Sequence, residues 1–293
     1  MTSHLITRDE VIERSKGLPT FPNILNKILN TIDDFEANSN LVVRHVKQDP
    51  VIAAQVLSAA NTASKARQRG DISDIHAAIA MIGLGRVREI AMFSSTSGFV
   101  NSFAVKEIPV SLWTHSIAVG VCGEELANYN ATPELANAAM IAGLLHDIGQ
   151  LWLYCYYPAE LRAAFRDTRE RHIGIEIAER EHFGLDHQQI GSWLADYWHL
   201  PADICAAIRY HHQPDDAMQT PLVALVHVAE VLSNALDLTG RIENHVTTVS
   251  TPAFKLLGLI WGSESRPEFG PLFGRIEARS RHVNELMQSG KFL

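Results

Sequence analysis

The chain has 293 residues, 46% of them hydrophobic and 20% charged, with a formal net charge of -8; that length allows one large domain or two smaller ones. No basic stripe alternates with aromatics, so the sequence carries no electrostatic footprint for nucleic acid or for an anionic membrane. The polar start "MTSHLITRDEVIERSKG" reads as no signal peptide, no apolar run nears the ~20 residues of a membrane span, and three scattered cysteines (Cys122, Cys155, Cys205), each expected to be a small buried hydrophobe, fit a reducing, cytoplasmic setting.

Helical spacing runs through nearly the whole chain. After "LPTFP", Ile24, Leu25, Ile28, Leu29 and Ile32 recur at helical intervals, and a second helix covers "SNLVVRHVKQ". Asp49-Pro50 starts a third, since Asp is a good N-cap and Pro is pre-shaped for the first helical position. Ser73 is placed to cap "DIHAAIAMIG", which Gly83 ends, and "GRVREIAMF" runs on as helix. The small, polar stretch Ser94 to Phe103 breaks the periodicity and is the best internal boundary. Beyond it "EIPVSLWTHSIAVGVCGEELANYN" is helical, and Thr132-Pro133 starts the helix "ELANAAMIAGLLHDIGQL". Later starts are marked at Asp186, Leu200-Pro201 and Pro221. "PAFKLLGLIWG" and "RIEARSRHVNELMQ" read as two more helices near the end. Strand signals are weak everywhere, so the expected fold is all-α. It divides into two helical lobes, residues 1–103 and 104–237, with a C-terminal helical extension at 238–293.

The stretch "GLLHDIGQL" puts a carboxylate where an apolar residue belongs. Read as helix, Leu144, Asp147, Ile148 and Leu151 share one inward face. A lone buried carboxylate costs several kcal/mol, roughly, unless something pairs with it. Other helices of the second half carry similar exceptions. His115 aligns with Val119, Cys122 and Leu126; His187 aligns with Ile190, Gly191 and Leu194; Ile204 and Ile208 lead to His211 and His212; Glu230 shares a face with Leu222, Val226 and Ala229. Imidazoles and carboxylates are the ligand set for iron, manganese, zinc or nickel, and an Asp can bridge two ions. A single histidine on an apolar face is more often a hydrogen-bonded core residue, and His211-His212 could merely end a helix, where cations favour the dipole. Taken jointly, His115, His146, Asp147, His187, His211, His212 and Glu230 favour a site for one or two divalent transition-metal ions. The remaining histidines, His227 among them, read as surface or structural.

"GLLHDIGQL" resembles the signature of the HD superfamily of metal-dependent phosphohydrolases. The runs "LPTFPNIL…VKQDPVIAAQVLSAANTA…ISDIHAAIAMIGLGRVREIAM" and "LWTHSIAVGVCGEELA…AGLLHDIGQL…DHQQIGSWLADYWHLPADICAAIRYHHQP" more particularly resemble the HDOD domain, a bacterial signalling module related to HD-GYP phosphodiesterases. The resemblance covers about Leu18 to Pro214 and implies that the second lobe is an HD-like bundle. By the same resemblance His115, His146 and Asp147 match ligands of a first metal, with Glu230 where the family has a late Asp. His187, His211 and His212 match those of a second metal beside Asp147. Gln150 stands where HD-GYP enzymes have a phosphate-binding Lys, and nine residues, Gln213 to Pro221, leave no room for the GYP loop. The resemblance therefore implies a signalling or regulatory module with a retained metal site and no catalysis, a protein partner, and a nucleotide as a further candidate ligand. The alternative is a metal-dependent phosphohydrolase acting on a nucleotide or cyclic dinucleotide, with Asp147 at its centre.

Overall fold

Every regular element among the described residues is helical, with no strand. The computed structural model describes residues 5–16, 39–48, 50–67, 72–87, 90–91, 110–129, 135–217, 220–238, 248–259 and 269–288. The expected helix around Ile24 to Ile32, the Ser94 to Phe103 boundary and the Thr132-Pro133 start lie outside them. Backbone contacts divide the chain into two units, one of Met1–Gly17 with Val105–Gln288, the other of Leu18–Ala104 with Ser289–Leu293.

The first helix, α1 (Arg8–Ser15), is capped by Thr7, whose hydroxyl accepts from the Glu10 amide. Chain order assigns it to the first lobe, yet its contacts lie in the unit that holds the second half. Arg8 pairs with Asp196, and the Tyr156 hydroxyl donates to the Arg14 carbonyl at 2.8 Å.

In the smaller unit, α2 (Ser39–Lys47), α3 (Pro50–Ala66) and α4 (Ile75–Ile82) pack together through Val42, Val46, Ile52, Val56, Ala78 and Ile79. Asp74, rather than Ser73, caps α4 by accepting from the Ala77 amide at 2.9 Å. The Asp carboxylate reaches the third amide of the turn from one position nearer the helix. Asn61 on α3 clips the incoming strand of chain, exchanging two hydrogen bonds of 2.8 Å with the Ile72 backbone.

The larger unit continues with α5 (Val110–Tyr129), α6 (Ala136–Leu145), α7 (Ile148–Tyr156), α8 (Pro158–Arg171), α9 (Ile175–Phe183), α10 (His187–Tyr197), α11 (Ala202–Tyr210), α12 (Pro221–Ala235), α13 (Thr251–Leu256) and α14 (Phe269–Gln288). The pair α5/α6 forms its centre, with α12 and α14 against α5, and α10 lying on α7. Its backbones meet where Gly120 faces Gly143; a Cβ on Gly143 would lie 2.7 Å from the Gly120 Cα. This contact brings His115 of α5 beside the end of α6. On the far side of α5, Arg279 of α14 pairs with the buried Glu124 and Glu125.

"GLLHDIGQL" is not one continuous helix. Helix α6 ends at Leu145, His146 and Asp147 form a turn, and α7 starts at Ile148. His146 keeps helical dihedrals while Asp147 departs to φ -96 and ψ 17. The departure is small enough that Leu144, Asp147, Ile148 and Leu151 still line one cavity, as their spacing predicts.

Candidate metal centre

All seven predicted side chains come together inside the larger unit. His115 projects from α5, His146 and Asp147 from the α6/α7 turn, His187 from the first position of α10, His211 and His212 from the end of α11, and Glu230 from α12. The local sequence explains the placement of His187. Asp186 caps α10 by accepting from the Gln189 amide at 2.9 Å, so the helix begins on the histidine itself. Gly149 allows α7 to lie directly on that point, because any Cβ there would overlap the His187 carbonyl.

Asp147 is the hub. Its Oδ2 lies 3.3 Å from His146 Nε2 and 3.8 Å from His115 Nε2. Its Oδ1 lies 3.4 Å from His187 Nε2 and 3.9 Å from His211 Nε2. Atoms that share one ion at about 2.1 Å sit roughly 3.0–3.4 Å apart in tetrahedral or octahedral geometry, so the spacings match or slightly exceed those of a closed coordination shell. Two ligand sets result, His115/His146/Asp147 and His187/His211/His212. Glu230 belongs wholly to neither: it groups with His146 and His211, and its Oε2 lies 3.8 Å from His212 Nδ1. The extra methylene relative to Asp carries its carboxylate between the two sets.

The tautomers are set from behind. His146 Nδ1 donates to the Gly143 carbonyl at 2.6 Å, His211 Nδ1 to the Ile208 carbonyl at 2.9 Å, and His187 Nδ1 to Glu179 Oε2 at 2.6 Å. With Nδ1 committed in each ring, every Nε2 turns inward, able to offer its lone pair to a metal ion or to a proton, the usual arrangement of metal-ligating histidines. His146 Nε2 is buried and meets Asp147 without the alignment of a hydrogen bond. His187 Nε2 and His211 Nε2 face each other at 3.2 Å. Two such lone pairs repel unless a proton or a metal cation lies between them. The donor set therefore fits a divalent transition-metal ion.

Charge cuts across the two ligand sets. Burial disfavours the charged form of His187, yet Glu179 and Asp147 outweigh it and push that imidazole up to about 10. Burial also opposes the His146 cation, and Asp147 beside it raises that pKa as well. Burial and the neighbouring imidazoles hold His211 and His212 well below the ordinary histidine value. Burial alone would raise the Asp147 carboxyl; His146, His187 and His115 around it hold it well below the usual carboxylate range. Glu230, buried and facing Asp147, is pushed up to about 7.

Three residues outside the seven support the centre, and of these the sequence singles out only Gln150. Glu179 is fully buried behind His187. Its signal is the stripe Glu176, Glu179 and Phe183 on α9, in which two acids occupy inward positions. His227 is structural, as expected, but it braces the site: its Nδ1 donates to the His211 carbonyl at 2.6 Å, and its Nε2 accepts from the Ser250 amide at 3.0 Å. Gln150, which by the resemblance replaces a phosphate-binding Lys, is buried with its amide 3.5 Å from Glu179 Oε1. Among the cysteines Cys122 is buried, whereas Cys155 and Cys205 are half-exposed.

Comparison with known proteins finds the HDOD domain over residues 18–214. An uncharacterised protein of Treponema pallidum (strain Nichols) is 25% identical over 229 residues, covering 78% of this chain and 44% of that protein. The chain thus spans less than half the length of this relative. The crystal structure of an HDOD domain protein of unknown function from Geobacter sulfurreducens superposes with a TM-score of 0.70 at 26% identity, over 93% of this chain and 95% of that one. A candidate signal transduction protein from Marinobacter aquaeolei VT8 superposes with a TM-score of 0.71 at 21% identity, over 100% of this chain and 62% of that one.

Proposed function

The chain belongs to the HDOD domain family, and from that premise we propose that it is a signal-transduction module whose larger unit holds one or two divalent transition-metal ions without hydrolysing a nucleotide. His115, His146 and Asp147 would hold one ion; His187, His211 and His212, again with Asp147, would hold the other, and Glu230 reaches both. Such ions would supply fixed positive charge that neutralises Asp147 and Glu230 and ties five helices to one point.

The observation that carries the non-catalytic reading is the cavity on Asp147. It is lined by Leu112, Leu144, Ile148 and Leu151, with Ser116 as its other polar residue. The Ser116 hydroxyl already donates to the Leu112 carbonyl at 3.2 Å. Beyond the ions themselves, a phosphoryl group is held by cationic or aimed donor side chains, and among the described residues this lining offers neither. Gln150, buried against Glu179, adds none. The structural likeness to the Marinobacter signal transduction protein agrees with a signalling role.

One observation favours the alternative, a metal-dependent phosphohydrolase. Asp147 turns one oxygen to each ligand set, as a carboxylate bridging two catalytic ions would. The deciding experiment measures metal content by elemental analysis and then assays phosphomonoesters and cyclic di-GMP with Mn²⁺ and with Fe²⁺. We expect bound metal in the wild type, its loss in Asp147→Ala, and no turnover in either. Turnover that vanishes in Asp147→Ala would establish the hydrolase instead.

A further inference from the structure

We infer that Glu179, itself held by Gln150, is the positioning residue of the second ligand set, fixing the His187 ring so that Nε2 points at Asp147 and His211; this rests on the metal reading above. A single oxygen of Glu179, Oε2, accepts from the His187 backbone amide at 2.8 Å and from His187 Nδ1 at 2.6 Å. Two bonds from one residue to one buried atom fix both the start of α10 and the rotation of the imidazole. The other oxygen, Oε1, faces the Gln150 amide at 3.5 Å. Glu179 and Gln150 come from different helices, α9 and α7. Both are buried, so water does not compete for these bonds.

The chemistry of the arrangement is directional. A carboxylate behind an imidazole fixes its tautomer, raises the basicity of the opposite nitrogen, and strengthens whatever cation that nitrogen holds. Two other ligand rings with assigned Nδ1 bonds, His146 and His211, donate to neutral backbone carbonyls. His187 alone of these three has a charged partner behind it, so Glu179 gives the second set a donor that the carbonyls behind His146 and His211 do not match. Gln150 acquires a role of its own here. A neutral amide supports Glu179 without drawing its charge away, whereas a lysine at this position would pair with the carboxylate and compete with His187.

The test uses the full chain and Glu179→Gln, which keeps the shape and removes the charge. Cobalt(II) titration followed by its visible spectrum reads the two sets separately. We expect binding to the His187 set to weaken by on the order of 10–100-fold, while the His115 set stays within about threefold. A merely structural Glu179 would weaken both sets alike or neither, and either result overturns the inference. Proton NMR of the metal-free chain provides a readout that needs no metal. The short bond to Glu179 should place the His187 Nδ1 proton far downfield and slow its exchange, and that resonance should be lost in Glu179→Gln. Its absence from the wild type, or its persistence in the variant, overturns the inference even if the chain takes up no cobalt.

Discussion

A histidine with a carboxylate behind it and a metal ion in front must surrender a proton when the ion arrives. Burial resists charge on His187, but Glu179 and Asp147 prevail and push it up to about 10. The metal-free chain therefore carries a proton on His187 Nε2 at pH 8, where the ion would bind. Because this pKa lies above the ordinary 6.5, protonated His187 contributes stability fully below pH 6.5, and the contribution fades as pH rises toward about 10. Loading Zn²⁺ at pH 8 should then release at least one proton per chain, read with an indicator dye in weak buffer. Apparent metal affinity should climb from pH 6.5 to 10 while urea-unfolding stability of the metal-free chain declines over the same window. Uptake without proton release would mean that His187 is already neutral.

Helices α7 and α10 touch where only a hydrogen atom fits, and this contact sets where His187 stands relative to Asp147. In an exposed helix, alanine in place of glycine gains up to about 1 kcal/mol of backbone entropy. At Gly149 the new Cβ would overlap the His187 carbonyl, a backbone atom that cannot swing aside. Overpacking costs about 1–3 kcal/mol, so the clash wins. Gly149→Ala should unfold at lower urea and retain less metal, and a variant as stable as the wild type would show that the helices have room. This contact also marks what can be read from the sequence. Apolar positions repeat at helical intervals, so α2, α3, α5 and α10 to α12 are legible, and the seven ligands stand out as polar exceptions on inward faces. The break between α6 and α7 is not legible, because Asp147 departs from helix only modestly and neither glycine nor proline stands at the turn itself. Glu179 is missed for a different reason. In "AEREHF" it looks like any acid on an amphipathic helix, and only the approach of α10 turns it into a partner for His187.

The larger unit draws its ligands from elements that are far apart in sequence, His115 on α5 and Glu230 on α12, whereas the described helices of the smaller unit contribute none. An ion that binds only the folded form stabilises it by about 2.7 kcal/mol at a free concentration one hundred times the Kd, and by about 4.1 kcal/mol at one thousand times. For a unit of this size each kcal/mol is worth roughly 2–4 °C in Tm, so saturating metal should raise the transition by on the order of 5–15 °C over chelated protein. The gain must be local, because stability is distributed unevenly and a ligand protects the segments it ties together. Hydrogen exchange with and without EDTA should show that distribution. Amides of α5, α10 and α12 lose protection when metal is stripped, since Asp147 and Glu230 are then left with only the surrounding imidazoles as charge partners. Amides of α3, whose buried Ile52, Val56 and Ala60 lie in the other unit, keep their protection. Equal loss in α3 would mean that the two units unfold as one cooperative body. No loss in α5 would mean that its helices hold His115 in place without help from an ion, and the centre would then owe its geometry to the fold alone.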